Sequence, residues 1–467
     1  MNTRSLPILI SVFFFWGFVA ASNDILIPVF KEKLGLSQGQ SQLISVAFYV
    51  AYTVGSIIYY IISRILKQDV LNRIGYKNGL SLGLVISALG TLLFYPAAES
   101  GSFILVITGL FIVGLGFSLQ QTAANPMAIV MGDPKKGSQR LSLAGGINNI
   151  GSTIAPHLVA FAIFGTLSAS RTLESIDGVK VPYLILGVAF VTLAIIFKLS
   201  NLPNKIPAIT GEKPDEQNSE RKSALSYPQL ILGMMAIFLY VGVEVSTAGN
   251  LSEFMRKNLG VETSGSVSYV SLFWASLMIG RWTSSAAVFS KSNRGKLILK
   301  FWLPYLAFAF FLLVSWIFAG IDILQFRFYT PIIFIMIIGD LLSKGNPARQ
   351  LFIYSVLGIT ALMIGILSHG WISVYAFVSV GLFCSTLWPC IFTLAIKGLG
   401  KHTNEGSGFL IMMIMGGGLI SGLQGYLAED SLLGIQWSYL VGVGCFMYLA
   451  FYAFITKSIF KKQNIEL

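Results

Sequence analysis

Apolar runs of about 18 to 25 residues recur from one end of this chain to the other, and a helix of that length crosses a hydrocarbon core roughly 30 Å thick. In lipid every backbone N–H and C=O must be satisfied within the protein, so only helices and closed barrels span. The alternating ten-residue pattern of a membrane barrel is absent. Composition agrees: 55% of the 467 residues are hydrophobic, mean hydropathy is +0.74 and only 11% are charged, against roughly 25% in soluble domains. The expectation is an all-α polytopic membrane protein.

Six spans are predicted at about 6–30, 42–65, 78–96, 102–131, 141–166 and 181–199, followed by the polar linker NLPNKIPAITGEKPDEQNSERKSALSY. Eight more are predicted at about 227–251, 265–290, 297–320, 328–343, 351–368, 371–397, 406–427 and 434–456, about fourteen in all. The segment at about 328–343 is short and holds both Pro331 and Asp340, so it is the one whose full crossing is in question. The opening MNTRSLPILISVFFFWGFVAAS has the charge and apolar order of a signal peptide, but its apolar run continues to Phe30 and reads as an uncleaved first helix.

The net charge of +12 would suggest nucleic acid in a soluble protein. Here most Lys and Arg lie in short segments between apolar runs, where they set topology. With both termini cytoplasmic, an even number of spans keeps Arg64, Lys67, Arg73, Lys77, Lys135, Lys136, Arg140, Lys291, Arg294, Lys296, Lys300, Lys397, Lys401, Lys457, Lys461 and Lys462 on the inner side. Cys384, Cys390 and Cys445 fall inside apolar runs without metal-ligand spacing and read as small core residues. There is no phosphate-binding G-x-x-x-x-G-K-[ST] loop, no H-E-x-x-H and no Cys/His cluster, so no enzyme chemistry, metal or cofactor is expected.

The two halves resemble each other. Gly17 pairs with Gly242, Phe48 with Phe273 and Gly55 with Gly280, all at one offset of 225 residues, while Asn125-Pro126 pairs with Trp388-Pro389 at an offset of 263. This reads as a duplicated six-helix bundle whose second copy gained 38 residues, room for two segments. Residues 1–200 are thus expected to form an N-terminal bundle, 201–226 a cytoplasmic linker, and 227–460 a C-terminal bundle with extra segments at about 297–345.

FFFWGFVAASNDILIP, LQQTAANP at 119–126, RLSLAGGINNIGSTIAP at 140–156, YVGVEVS at 240–246, WPCIFTLAIKGLG at 388–400 and GSGFLIMMIMGGG at 406–418 together resemble the major facilitator superfamily, in particular its fucose permease and glucose/galactose permease group. That resemblance implies two pseudo-symmetric helical bundles with a sugar site at mid-membrane, opened alternately to each side. It assigns proton coupling and sugar binding to Asp24, beside Asn23 in an N-D-[apolar]-L-P motif. A second carboxylate of the group falls at Gln121 here, and a glutamine cannot take up a proton near neutral pH. The turn ISRILKQDVLNRIGYK is also about eight residues longer than usual in the group.

The residues support such a site independently. An intramembrane Asp costs about 2.5 to 3.5 kcal/mol on insertion scales and should face the bundle interior. Gly17, Ala20, Ala21 and Asp24 share one helical face. Gly114, Ser118, Gln121 and Asn125 form a second stripe, and Gly145, Asn148 and Ser152 a third. Their amides suit a polyol needing both donors and acceptors, while interhelical hydrogen bonding is the structural alternative. Asn125 beside Pro126 is expected to satisfy backbone groups that the proline frees. Tyr240, Glu244 and Thr247 share a face, making Glu244 a second coupling candidate or a structural partner of Arg281, which is expected to snorkel toward the inner surface. Asp340, four residues before Lys344, reads as a solvated terminus, and His157 as a hydrogen-bonded core residue. Trp16 and Trp388 are candidate faces for the apolar side of a sugar.

The expected function is import of a monosaccharide (fucose, glucose/galactose or amino-sugar class) by proton symport, as a monomer in a bacterial inner membrane, with protons, sugar and lipid as partners and no nucleic acid. Sodium-coupled or facilitative transport, and a non-transporting receptor or scaffold on the same fold, stand as the alternatives.

Overall fold

The computed structural model describes residues 6–35, 38–133, 136–164, 180–205, 223–261, 263–290, 292–319 and 322–465; side chains at 23–33, 38–45, 156–157, 159–164, 263–265, 267 and 318–319 are outside that description. The side chains of Asn23, Asp24 and His157, and linker residues 206–222, therefore lie outside the described residues.

The described chain is helical. Its first half forms α1 (Leu6–Lys33), α2 (Gln38–Ile65), α3 (Val70–Ile74), α4 (Tyr76–Leu92), α5 (Phe94–Ser100), α6 (Phe103–Val130), α7 (Gly137–Phe164) and α8 (Lys180–Leu199). The second half forms α9 (Pro228–Leu259), α10 (Thr263–Phe289), α11 (Asn293–Ala319), α12 (Tyr329–Ser343), α13 (Pro347–Leu367), α14 (Trp371–Cys384), α15 (Leu387–Ile396), α16 (Thr403–Met412), α17 (Gly416–Leu427), α18 (Gly434–Trp437) and α19 (Leu440–Lys462). Eleven helical segments among the described residues are long and apolar enough to cross a membrane. One of them, Ile323–Ser343, is 21 residues long because a 3-10 turn extends α12, so length does not prevent the doubtful segment from spanning.

Local chemistry places the ends. Ser102 caps α6 by accepting from Leu105 N, and Asn346 caps α13 by accepting from Arg349 N, with Pro347 in the first turn, where its missing N–H costs nothing. Asp69 does the same for α3 through Asn72 N. Large apolar side chains such as Ile61, Trp302, Trp316 and Phe454 remain exposed, the pattern of a surface solvated by lipid.

The helices group into two compact units: residues 1–132, 150–208 and 401–412 form one, and 133–149, 209–400 and 413–467 the other. In the first, α4 packs against α6 and α8, and α2 against α6. The α4–α6 crossing is made by glycine: a Cβ on Gly90 would lie 2.7 Å from Gly109 O and one on Gly116 2.5 Å from Gly83 O. Only small residues let two backbones approach so closely, and in lipid that contact is a main source of helix association. In the second unit α13 packs against α19 and α14, α9 against α17, α19 and α15, and α10 against α11 and α14.

Candidate functional site

In the first unit the polar stripe of α6 meets α2. Gly114 and Ser118 lie in the crossing, where a Cβ on Gly114 would be 2.6 Å from Ala51 Cβ and Ser118 Oγ donates to Tyr52 O at 3.1 Å. Gln121 is half-buried and donates through Nε2 to Tyr52 OH at 3.1 Å. Asn125 is buried, and its Nδ2 has no hydrogen-bond partner, so it does not satisfy a backbone group freed by Pro126 through that atom. The upper part of the stripe thus serves packing, and Gln121 and Asn125 retain polar capacity beyond it.

Trp16 is 5% exposed. Its indole Nε1 donates to Gln120 Oε1 at 2.8 Å, and its ring packs on Phe13 and Phe117. The ring expected to face a sugar is embedded in the core. Gln120, which sequence reasoning passed over in favour of its neighbour, also donates to Ser87 Oγ at 3.0 Å and joins α1, α4 and α6. Ala20, on the small-residue face of α1, is exposed, and Gly17 is buried.

The charged site lies in the second unit. Arg281 on α10 is only 8% exposed and does not snorkel. Its Nε donates to Ser385 O at 2.9 Å, Nη1 to Asn149 Oδ1 at 2.7 Å and to Gly145 O at 3.1 Å, and Nη2 to Tyr240 OH at 3.4 Å. Snorkelling fails because four acceptors hold the guanidinium in place. Ser385 O is available because the chain breaks helix between α14 and α15, and Gly145 makes room, since a Cβ there would lie 3.0 Å from Arg281 Cδ. Glu244, half-buried on α9 and one turn from Tyr240, interacts electrostatically with Arg281. Trp388 on α15 is half-buried, stacked on Phe392 at 6.1 Å and tilted against Tyr240 at 6.2 Å between ring centroids. Asn148 on α7 is half-buried, and the adjacent Asn149 is 3% exposed.

Around this cluster, Thr247 Oγ1, Trp282 Nε1 and Thr386 Oγ1 are buried with no protein hydrogen-bond partner, next in sequence or one turn away from Glu244, Arg281 and Ser385. A buried polar atom left unpaired costs about 1 to 3 kcal/mol. Such atoms are therefore ready to meet a polar ligand or water. Sequence reasoning singled out Tyr240, Glu244, Trp388 and Arg281 but missed Asn149 and Ser385. The available signal was the repeated amide in GGINNIG, which places Asn149 one turn beyond Gly145.

Asp340 is a correction too. It is 2% exposed and not solvated; Lys300 Nζ lies 2.5 Å from its Oδ2, and Gln350 Nε2 donates to its Oδ1 at 3.0 Å. No group of three or more His, Cys, Asp or Glu arranged to hold a metal ion occurs among the described residues.

A family model described as Major Facilitator Superfamily matches residues 8–329. The chain belongs to the major facilitator superfamily. Membership places it among transporters rather than enzymes. It is 32% identical over 453 residues to a glucose/galactose transporter of Brucella abortus biovar 1 (strain 9-941), covering 97% of this chain and 93% of the relative. It is 26% identical over 467 residues to the L-fucose-proton symporter of Escherichia coli (strain K12), covering 96% and 91%. The crystal structure of the major facilitator transporter FucP in the outward conformation superposes with a TM-score of 0.72 at 24% identity, covering 97% of this chain and 98% of that one. The fold is accordingly the major facilitator fold.

Proposed function

We propose that this protein is a secondary active transporter that imports a monosaccharide of the glucose/galactose or fucose class by proton symport with alternating access. The observation that carries the reading is the Tyr240–Glu244–Arg281–Asn149 cluster, buried in an apolar helical unit of a chain similar over 97% of its length to a glucose/galactose transporter. Intramembrane ionisable residues are costly and are kept for substrate or ion pathways.

In this reading Asp24 and Glu244 bind protons. Gln121, Asn148, Asn23 and Trp388 contact sugar, and the unpaired Asn125 Nδ2, Thr247 and Thr386 hydroxyls add hydrogen bonds. Trp16 supports the site from the core behind α6. The working topology has about fourteen spans: the eleven apolar segments plus α1, α7 and α10, which are 28, 28 and 27 residues long. The extra pair is α11 and α12, at about 297–345. Bundles at 1–200 and 227–460 are joined by a cytoplasmic linker at 201–226, both termini are cytoplasmic, and the protein works as a monomer in a bacterial inner membrane.

Gln121, hydrogen-bonded to Tyr52 where the symporter group has a carboxylate, favours one second reading, sodium-coupled or facilitative transport. Uptake of labelled glucose, galactose and fucose into proteoliposomes separates the two. An imposed proton gradient should drive accumulation; dependence on sodium alone, or equilibration without accumulation, selects the second reading. Absence of counterflow with every sugar tested rejects both.

A further inference from the structure

The Arg281 guanidinium ties its helix α10 to three other elements: the Gly145–Asn149 turn of α7, Tyr240 on α9, and the break at Ser385 between α14 and α15. Its close fit is built in. A Cβ on Gly280 would lie 1.9 Å from Ser385 Oγ and one on Gly146 2.5 Å from Trp282 Cδ1, so α10 is seated tightly against both neighbours. The four hydrogen-bond acceptors that hold Arg281 are neutral, and Glu244 is the carboxylate that interacts with it. The ionisable groups interacting with Glu244 are Tyr240 on its own helix, Arg281 on α10 and Cys384 on α14.

The bond lengths are unequal. Arg281 sits 2.7 Å from Asn149 Oδ1 but 3.4 Å from Tyr240 OH, so the guanidinium leans toward α7. In a site of low dielectric a buried cation follows its counter-charge. When Glu244 is ionised, Arg281 is drawn toward α9. When Glu244 takes a proton from water on one side, the carboxylate becomes a neutral carboxyl and the guanidinium falls back on Asn149 and the Gly145 carbonyl. Loss of that proton to the other side reverses the shift.

From this geometry we infer that Arg281 is a positioning residue that transmits the protonation of Glu244 to the 137–149 half of α7 through Asn149. Resting on the transport reading above, this joins a coupling carboxylate to Asn148, the neighbouring sugar-contact residue, without direct contact between proton and sugar.

The test has two arms. Hydrogen–deuterium exchange of the purified full-length protein, without sugar, should show protection over 137–149 that increases on acidification in wild type and is the same at both pH values in Glu244→Gln. In counterflow, the apparent sugar affinity should vary with pH by at least about fivefold in wild type, the lower end of ordinary coupling, and this variation should shrink in both Asn149→Ala and Arg281→Lys. Lysine keeps the charge but cannot bridge four acceptors. Unchanged pH dependence of 137–149 in Glu244→Gln, or full wild-type pH dependence of affinity in both Asn149→Ala and Arg281→Lys, overturns the inference. A wild type without counterflow for any sugar overturns the transport reading instead, while the exchange arm still decides the link between Glu244 and α7.

Discussion

Lys300 Nζ lies 2.5 Å from Asp340 Oδ2 and ties α11 to α12 through a buried ion pair, with the two side chains 14% and 2% exposed. Gln350 Nε2 contacts both Asp340 Oδ1 and Ser284 Oγ, carrying the link to α13 and α10. Removing one member of a buried pair leaves a charge without compensation and costs about 3–5 kcal/mol, whereas replacing both with apolar groups is often neutral. Lys300→Met should therefore lower the thermal unfolding midpoint in detergent substantially, and Lys300→Met/Asp340→Leu should recover most of the loss. Equal midpoints for the single and double variants would show that the pair does not hold the two helices.

Gln120 and Gln121 are adjacent on α6 but make different commitments. Gln120 is fully buried between Trp16 and Ser87, so Gln120→Leu leaves the indole N–H unpaired and should cost stability by about 1–3 kcal/mol. Gln121 is half-buried with one bond to Tyr52, so Gln121→Leu should leave stability nearly unchanged and weaken apparent sugar affinity. Melting curves and counterflow on the two variants check this. The reverse assignment, with Gln121→Leu unfolding early and Gln120→Leu transporting poorly but melting normally, would move the sugar site to the other face of α6.

Much of the fold is legible in the sequence because a lipid environment leaves so few options: an apolar run of 20 or more residues must be helical, and almost every predicted span has its helix. What misled was non-local. Asp340, close to Lys344 at a helix end, reads from sequence as a solvated terminus, while its partner Lys300 is forty residues earlier, and no periodicity marks that contact. Arg281 was read as snorkelling because an isolated arginine near a helix end does so. Its restraint comes from Gly145, Asn149 and Ser385 on two other helical regions, and the value of a glycine there is visible only once α10 is set beside it. Trp16 was offered to a sugar because aromatic residues in transporters do both jobs, and only the Gln120 bond decides which.

The longer turn after α2 has a structural use in the first unit. Asp69 caps α3 and accepts hydrogen bonds from Tyr59 OH at 2.6 Å and Asn404 Nδ2 at 2.8 Å, and Tyr76 OH donates to Asn404 Oδ1, so the turn holds the start of α16. Asp69→Ala removes the cap, worth about 0.5–2 kcal/mol, and both side-chain bonds. Amide exchange should rise over 66–75 and over 401–412 together. A rise confined to 66–75 would mean that α16 is held by other contacts, the Arg64–Glu405 pair at 3.7 Å being the nearest alternative.

In the proposed proton symport, with glutamine at 121, coupling is assigned to Asp24, Glu244 or both, and neutral isosteres separate these cases. Glu244 has its cation and tyrosine partners within the second unit, so Glu244→Gln leaves Arg281 with neutral acceptors that already hold it, and the protein should fold and exchange sugar. A carrier that can no longer load a proton still equilibrates its sugar but cannot concentrate it. Asp24→Asn and Glu244→Gln should each therefore retain counterflow while accumulation against a gradient falls at least about tenfold, the equivalent of roughly 1.4 kcal/mol of lost driving force. Loss in Asp24→Asn alone makes Asp24 the sole coupling site and reduces Glu244 to a structural partner of Arg281. Full accumulation in both variants removes proton coupling from these carboxylates and selects the sodium-coupled or facilitative mode.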